Sequence, residues 1–298
     1  MDQETHRYYD DPQTINYFNQ ILNGRWHTGL NCTTMGQIQM EELLVQKLKI
    51  SSTDRVLDFG SGVGLVTCDL HLMTGCQITG LNISSKQVQL SRQLANHLKL
   101  KENQVKFVLN QNVTLLPFPD CSFDKIVFFE SVCHVQDRAH LFQEFYRILK
   151  PGGLIGGQDW IQTDYCSLNP VMYTKYIRPI CQTYKIPSLL SLNQFSQLLQ
   201  TSKFQVIEMT DLDSVFAIGS SFYSHYFREL SVIGLITYII MYIWSYLKLK
   251  LKYPQLQMKY SLKKINDPKL NLVCSGQVLN DAYINHTFSI GLILCQKL

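Results

Sequence analysis

Three glycines at alternate positions, Gly60-Ser-Gly62-Val-Gly64, follow the apolar run Arg55-Val-Leu-Asp58-Phe and lead into the helix-like Leu65 to Leu72. A turn of this kind lets the backbone approach a ligand where any Cβ would clash. The N–H groups at the start of the next helix favour an acceptor such as a carboxylate. A dinucleotide turn requires Gly-x-Gly-x-x-Gly. Leu65 stands in the place of its third glycine, and Asp58 just before the turn would repel a pyrophosphate.

Three further strand ends carry polar groups able to bind or to move a proton. Gly80-Leu-Asn82 leads into a helix through Gln87, and Asn82 can both donate to and accept from a hydroxyl. Leu109-Asn-Gln-Asn112-Val113 precedes Leu116-Pro-Phe-Pro-Asp-Cys-Ser-Phe-Asp124. Phe128-Phe-Glu130-Ser-Val-Cys-His134 places a carboxyl and an imidazole four residues apart, both able to act as a base near neutral pH when suitably placed.

Taken together, these runs resemble the class I methyltransferases that use S-adenosylmethionine (SAM), and within them the sterol, tocopherol and terpenoid C-methyltransferase group. The glycine turn, the LPFPD-x-SFD run and the E-x-x-x-H strand end carry the resemblance over about residues 55 to 160. Tyr8-Tyr-Asp10 with Gly24-Arg-Trp-His-Thr-Gly29 looks like the entry of the same group, although Trp26 and His27 are adjacent here. The resemblance implies a SAM site of Asp58, Gly60, Ser61, Gly62, Asn82, Gln87, Asn112, Val113 and Glu130. Asn82 and Asn112 stand where an acid usually holds the ribose hydroxyls and the adenine amino group. Glu130 and His134 become the catalytic candidates. Trp26, His27, Trp160, Tyr165 and Tyr223 are the substrate candidates, with Tyr173, Tyr226 and Phe227 as further aromatic faces. The base-methylating N/D-P-P-Y/F tetrapeptide is absent, which argues against a DNA or RNA substrate.

The elements that must position these groups alternate. Strands are expected at 56–59, 77–81, 105–109, 125–129, 154–159, 205–209 and 287–295, with helices near 64–73, 84–98, 138–149, 170–184 and 191–201. Alternation of this kind implies a parallel sheet with crossover helices. The expected fold is α/β: a Rossmann-like, mostly parallel sheet of seven strands. An N-terminal helical cap (1–50) precedes a core of 51–211 and 286–298, and a lid (212–285) is inserted before the last strand.

Composition sets further bounds. The 298 residues carry a net charge of +4 with 17% charged residues. The basic residues are scattered, unlike a nucleic-acid surface. Nine cysteines, odd in number and without a C-x-x-C pair, suit reduced thiols in the cytosol and argue against a structural zinc. No other metal site is evident, and oligomeric state is left open. The N-terminus lacks an apolar signal-like run. The apolar stretch 230–247, followed by Lys248, Lys250 and Lys252, would span about 27 Å as a helix, at the short edge of a membrane span. The favoured reading is a lid helix over a greasy pocket, ahead of peripheral membrane docking and of spanning.

The expectation is therefore a SAM-dependent methyltransferase of a small hydrophobic metabolite, acting on carbon. An N- or O-methyltransferase of a secondary metabolite or amine is the alternative within the enzyme class. A non-catalytic SAM-binding protein is the alternative outside it.

Overall fold

The computed structural model describes residues 3–22, 24–30, 34–113, 115–212, 279, 282, 283 and 285–298. Most of the expected lid, including 230–247 and Tyr223, Tyr226 and Phe227, lies outside the described residues. Among the described residues no helix is long and apolar enough to cross a membrane.

Seven strands form one sheet: β1 (Arg55–Phe59), β2 (Gln77–Asn82), β3 (Val105–Leu109), β4 (Phe123–Phe129), β5 (Leu149–Gln162), β6 (Phe204–Asp211) and β7 (Phe288–Lys297). The order is β3-β2-β1-β4-β5-β7-β6. The first five strands run parallel, while β7 is antiparallel to both of its neighbours.

Side chains alternate between the two faces of a strand, and the core divides accordingly. Val56, Val127 and Phe129 pack on one face with Met40, Leu44 and Leu48 of α3 (Thr34–Leu48), Val66 and Leu70 of α4 (Leu65–Thr74), and Val88 and Ala95 of α5 (Ser85–His97). Leu57, Phe59, Ile126 and Phe128 pack on the other with Leu141, Phe142 and Phe145 of α6 (Arg138–Ile148) and with Phe195 and Leu199 of the helix Leu192–Thr201. The result is a helix–sheet–helix sandwich with its polar strand ends gathered at one edge. Two shorter helices, α1 (Gln3–Asp10) and α2 (Pro12–Ile21), precede it.

The expected strands and helices recur with shifted ends, and two differences have clear causes. Strand β5 begins at Leu149, because Leu149 pairs with Phe123 and the register then jumps to Lys125↔Leu154, looping out the Lys150-Pro-Gly-Gly153 turn. The expected helix 170–184 is interrupted by a π turn at Tyr173–Ile177, immediately before Pro179 in the helix Arg178–Tyr184. Proline has no N–H to continue an α ladder, so the wider turn takes up the mismatch.

Candidate functional site

β1 has β2 on one side and β4 on the other, so the chain order reverses at its carboxyl end. That is where a crevice opens in sheets of this kind. The glycine turn fills this position. Gly60 and Ser61 donate to the Leu81 carbonyl at 2.9 and 3.1 Å, and Gly64 caps α4 in the left-handed region at φ 86°. Gly60 has φ 85°, and an added Cβ would meet Ser131 Cβ at 2.3 Å; at Gly62 (φ 52°) the nearest atom is Trp26 Cβ at 3.7 Å. Gly60→Ala is therefore expected to weaken ligand binding at the turn by about 100-fold and Gly62→Ala by far less, as titration calorimetry would show. Equal effects at both positions would mean that backbone angle alone, and not contact with Ser131, sets the requirement.

Beside the turn, Asp58 is buried and accepts from Thr67 Oγ1 at 2.6 Å. Burial pushes its carboxyl up to about 6. Ser61 Oγ is buried with no hydrogen-bond partner among the described residues. Both line a side chamber of about 20 Å³ with His27, Gly60 and Gly62.

The N-terminal helices lie across this end. The Asn82 amide donates to the Gly62 carbonyl (3.0 Å) and to Gln87 Oε1 (2.9 Å), and Gln87 Nε2 donates to the Tyr9 carbonyl (2.6 Å). Ser84, the N-cap of α5, donates its hydroxyl to Asp10 Oδ1 at 2.6 Å. Tyr9, Phe18 and Trp26 pack ring against ring over the turn, and the Trp26 indole donates to Asn19 Oδ1 at 2.8 Å.

Beneath them runs a fully buried ion cluster. Arg25 pairs with both oxygens of Glu41 on α3 and with Asp69 on α4, and Glu41 also receives His27 Nε2 at 3.0 Å. Glu41, which burial alone would push up, is held below the usual carboxylate range by the Arg25 guanidinium and the His27 hydrogen bond. Asp69 has one such bond and an Oδ1 with no partner among the described residues, and burial pushes it up to about 7.

Glu130 closes β4 in the left-handed region, at φ 50°. Its Oε1 accepts from the Thr28 backbone N–H (2.6 Å), the Thr28 hydroxyl and Gln158 Nε2 (3.1 Å), and its Oε2 accepts from the Trp160 indole N–H (2.7 Å). Burial raises its pKa against these donors. Four residues on, His134 Nε2 lies 2.8 Å from the Tyr9 hydroxyl. Burial pushes the imidazole down to about 4 and the Tyr9 phenol well up, so at neutral pH both are uncharged and the phenol can donate to the ring. Arg138 fixes the backbone on either side by donating to the Val132, Cys133 and Ser188 carbonyls.

These groups share one cavity of about 380 Å³. At one end lie Gly60, Gly62, Leu81, Asn82, Gln87, Asn110 and Val113; Glu130, Ser131 and His134 stand midway; Trp160, Tyr184, Tyr283, Phe288 and Ile290 form an aromatic chamber. Trp160 meets Tyr184 and Phe288 edge to face at 4.9 and 5.3 Å. Of the sequence candidates, Gly60, Gly62, Asn82, Gln87, Val113, Glu130, His134, Trp26 and Trp160 line the cavity, and Asp58, Ser61 and His27 line the side chamber.

Two candidates lie elsewhere. Asn112 is exposed, because Asn110 Nδ2 bonds the Asn112 and Leu115 carbonyls and folds the turn so that Asn110 and Val113 face inward. Tyr165 is 57% exposed on the short helix Asp164–Ser167 and does not reach the cavity. Tyr9, Thr28 and Tyr184 line it without having been singled out for those roles. The Tyr8-Tyr-Asp10 run was the available signal for Tyr9; nothing local marks Thr28 or Tyr184.

Residues 57–156 match the family model described as Methyltransferase domain. The chain is 32% identical over 172 residues to a sterol 24-C-methyltransferase of Eremothecium gossypii, a match covering 56% of this chain and 45% of that protein. The chain thus spans about half the length of the curated relatives it matches. Among solved structures, a geranyl diphosphate C-methyltransferase from Streptomyces coelicolor, bound to Mg2+, geranyl-S-thiolodiphosphate and S-adenosyl-L-homocysteine, superposes with a TM-score of 0.68 at 15% identity, covering 99% of this chain and 97% of that one. A sarcosine dimethylglycine methyltransferase from Galdieria sulphuraria gives 0.68 at 17% identity, covering 96% and 98%. The chain thus has the fold of these structures, and its residues 57–156 match a methyltransferase domain.

Proposed function

We propose that this chain, whose residues 57–156 form a methyltransferase domain, transfers a methyl group from SAM to a carbon atom of an apolar, isoprenoid- or lipid-like small molecule. The observation that carries the reading is one cavity running from the glycine turn, past Glu130 and His134, into an aromatic chamber.

The residues at the turn fit the methyl donor. Ser61 Oγ is a buried polar atom without a partner among the described residues, and Asp58 is an acceptor lining the same side chamber. Asp58, Gly60, Ser61 and Gly62 would hold the amino-acid end, Asn82 and Gln87 the ribose, and Val113 the adenine. When bound, SAM supplies an electrophilic methyl group. The related geranyl diphosphate C-methyltransferase structures were determined with SAM or S-adenosyl-L-homocysteine.

The remaining work falls to the chain's own groups: aligning the acceptor atom at about 3 Å and excluding water. The cap helices with Tyr9, Phe18 and Trp26 exclude water. If an alkene carbon takes the methyl, positive charge develops on the substrate, and the faces of Trp160, Tyr184, Tyr283 and Phe288 can stabilise it. A proton must then leave that carbon, and Glu130 Oε2 and His134 stand at the junction to receive it. Beyond Glu130 the described lining is dominated by Trp160, Tyr184, Tyr283, Phe288 and Ile290, which supports an apolar substrate. A hydroxyl acceptor is the second reading, favoured by the Tyr9–His134 pair, which could orient and deprotonate it. The free thiols of the described cysteines support a reducing, cytosolic setting.

The test is transfer from methyl-labelled SAM to three acceptors in parallel: a sterol with a side-chain double bond, geranyl diphosphate and sarcosine. Label in the organic phase with the sterol is the expected result, and transfer to sarcosine alone would overturn the reading.

A further inference from the structure

The carboxylate at the junction is held asymmetrically, and by the cap. Thr28 sits on the loop between α2 and α3, and it places both its backbone N–H and its hydroxyl on Glu130 Oε1. The Thr28 carbonyl in turn accepts from Gln158 Nε2 at 2.7 Å. That amide's orientation is settled chemically, since two of its neighbours, the Thr28 carbonyl and Glu130 Oε1, can only accept. The core thus clasps one cap residue from both sides. Oε2 has a single described donor, the Trp160 indole, and is the oxygen left to take a proton. Glu130 also holds a left-handed backbone, which is strained and persists where surroundings over-determine it.

We propose that Thr28 is a positioning residue whose two donors hold the Glu130 carboxylate as the anion, so that the base at the junction exists only while the cap loop is seated. The proposal rests on the reading of Glu130 as a proton acceptor. In the step it serves, the C–H bond of the methylated substrate carbon breaks, its electron pair forms the new C=C bond, and the proton passes to Oε2, giving a neutral acid. With the loop withdrawn, the same buried side chain loses both Thr28 donors and favours the acid form. A hydrogen bond to an anion is roughly twice as strong as one to a neutral acceptor. The clasp therefore slackens once the proton has arrived, and turnover and cap opening are linked through one side chain.

The titratable groups around Glu130 are His27 on the cap loop, Tyr9 on α1, Cys133 and His134 beyond β4, Asp159 on β5 and Tyr184 across the chamber. Tyr9 and Cys133 are pushed up by burial and stay neutral, and His134 is neutral above about 4. Asp159, pushed up to about 6 by burial, is a second buried carboxyl beside the same junction, so a rate profile alone mixes the two.

The experiment is an infrared pH titration of the full chain without substrate, with the Glu130 acid C=O band assigned by its loss in Glu130→Gln. Removing a donor to the anion raises the proton affinity. Thr28→Val is therefore expected to move the midpoint up by about one pH unit, a tenfold change, and Thr28→Ser to restore it. If valine prevents folding, Thr28→Ala carries the same expectation. An unmoved midpoint in Thr28→Val or Thr28→Ala overturns the proposal. Undiminished methylation of the sterol acceptor by Glu130→Gln would instead remove the proton-acceptor role, and leaves the titration to judge the clasp alone.

Discussion

Arg25→Met is expected to destabilise the protein by about 3–5 kcal/mol, read from the midpoint shift in urea unfolding. The guanidinium is 1% exposed and joins the cap loop to two helices through Glu41 and Asp69. Methionine can fill much of the volume, but it leaves both carboxylates in the interior without their main counter-charge. Asp69 escapes part of that cost by protonating, as its pKa near 7 already allows. Glu41 keeps only His27. Adding Asp69→Asn to Arg25→Met should recover a fraction of the loss, because it removes one of the stranded charges. A loss below about 1 kcal/mol in Arg25→Met would mean that water reaches the cluster and that burial has been overstated.

A comparable free energy is expected in catalysis at His134. His134→Ala should lower kcat by about 10²–10⁴, the range for a positioned acid or base, while the Kd for S-adenosyl-L-homocysteine changes by no more than about threefold. The basis is location: His134 lines the cavity beyond the end of β4, 2.8 Å from the Tyr9 hydroxyl, and makes no described bond to the glycine turn. Tyr9→Phe keeps the edge-to-face ring contact, at 5.0 Å between centroids, and removes only the hydroxyl. It should lose roughly tenfold, part of the His134 effect. If donor binding and turnover fell together in His134→Ala, the side chain would be a support for the loop Ser131–Val135 and nothing more.

The parts of the molecule that follow local rules were legible from the residues themselves. The five parallel strands are short apolar runs bounded by turns, and the glycine turn follows β1 because a left-handed position such as Gly60 leaves little choice of side chain. Parts decided by distant neighbours were not. Asn112 and Asn110 are chemically identical amides two residues apart. Only the bonds from Asn110 to the Asn112 and Leu115 carbonyls determine which one faces the cavity. Arg25 and Glu41 read as ordinary polar residues, yet tertiary packing buries them fully. Thr28 meets Glu130 across 102 positions of sequence, a separation that no local pattern reports.

The placement of β7 has a consequence for how the chain matures. It pairs with β5 from Leu154↔Gln296 to Gln162↔Phe288, and it is the strand that joins β6 to the sheet. During synthesis β7 emerges after the other six, so β5 waits with an open edge and β6 has no neighbour until residues 288–297 appear. Pairings between strands so far apart in the chain form slowly, and an unpaired apolar edge invites the wrong partner. A nascent chain halted before position 288 therefore presents an unfinished sheet, whose open edge is a template for pairing with another chain.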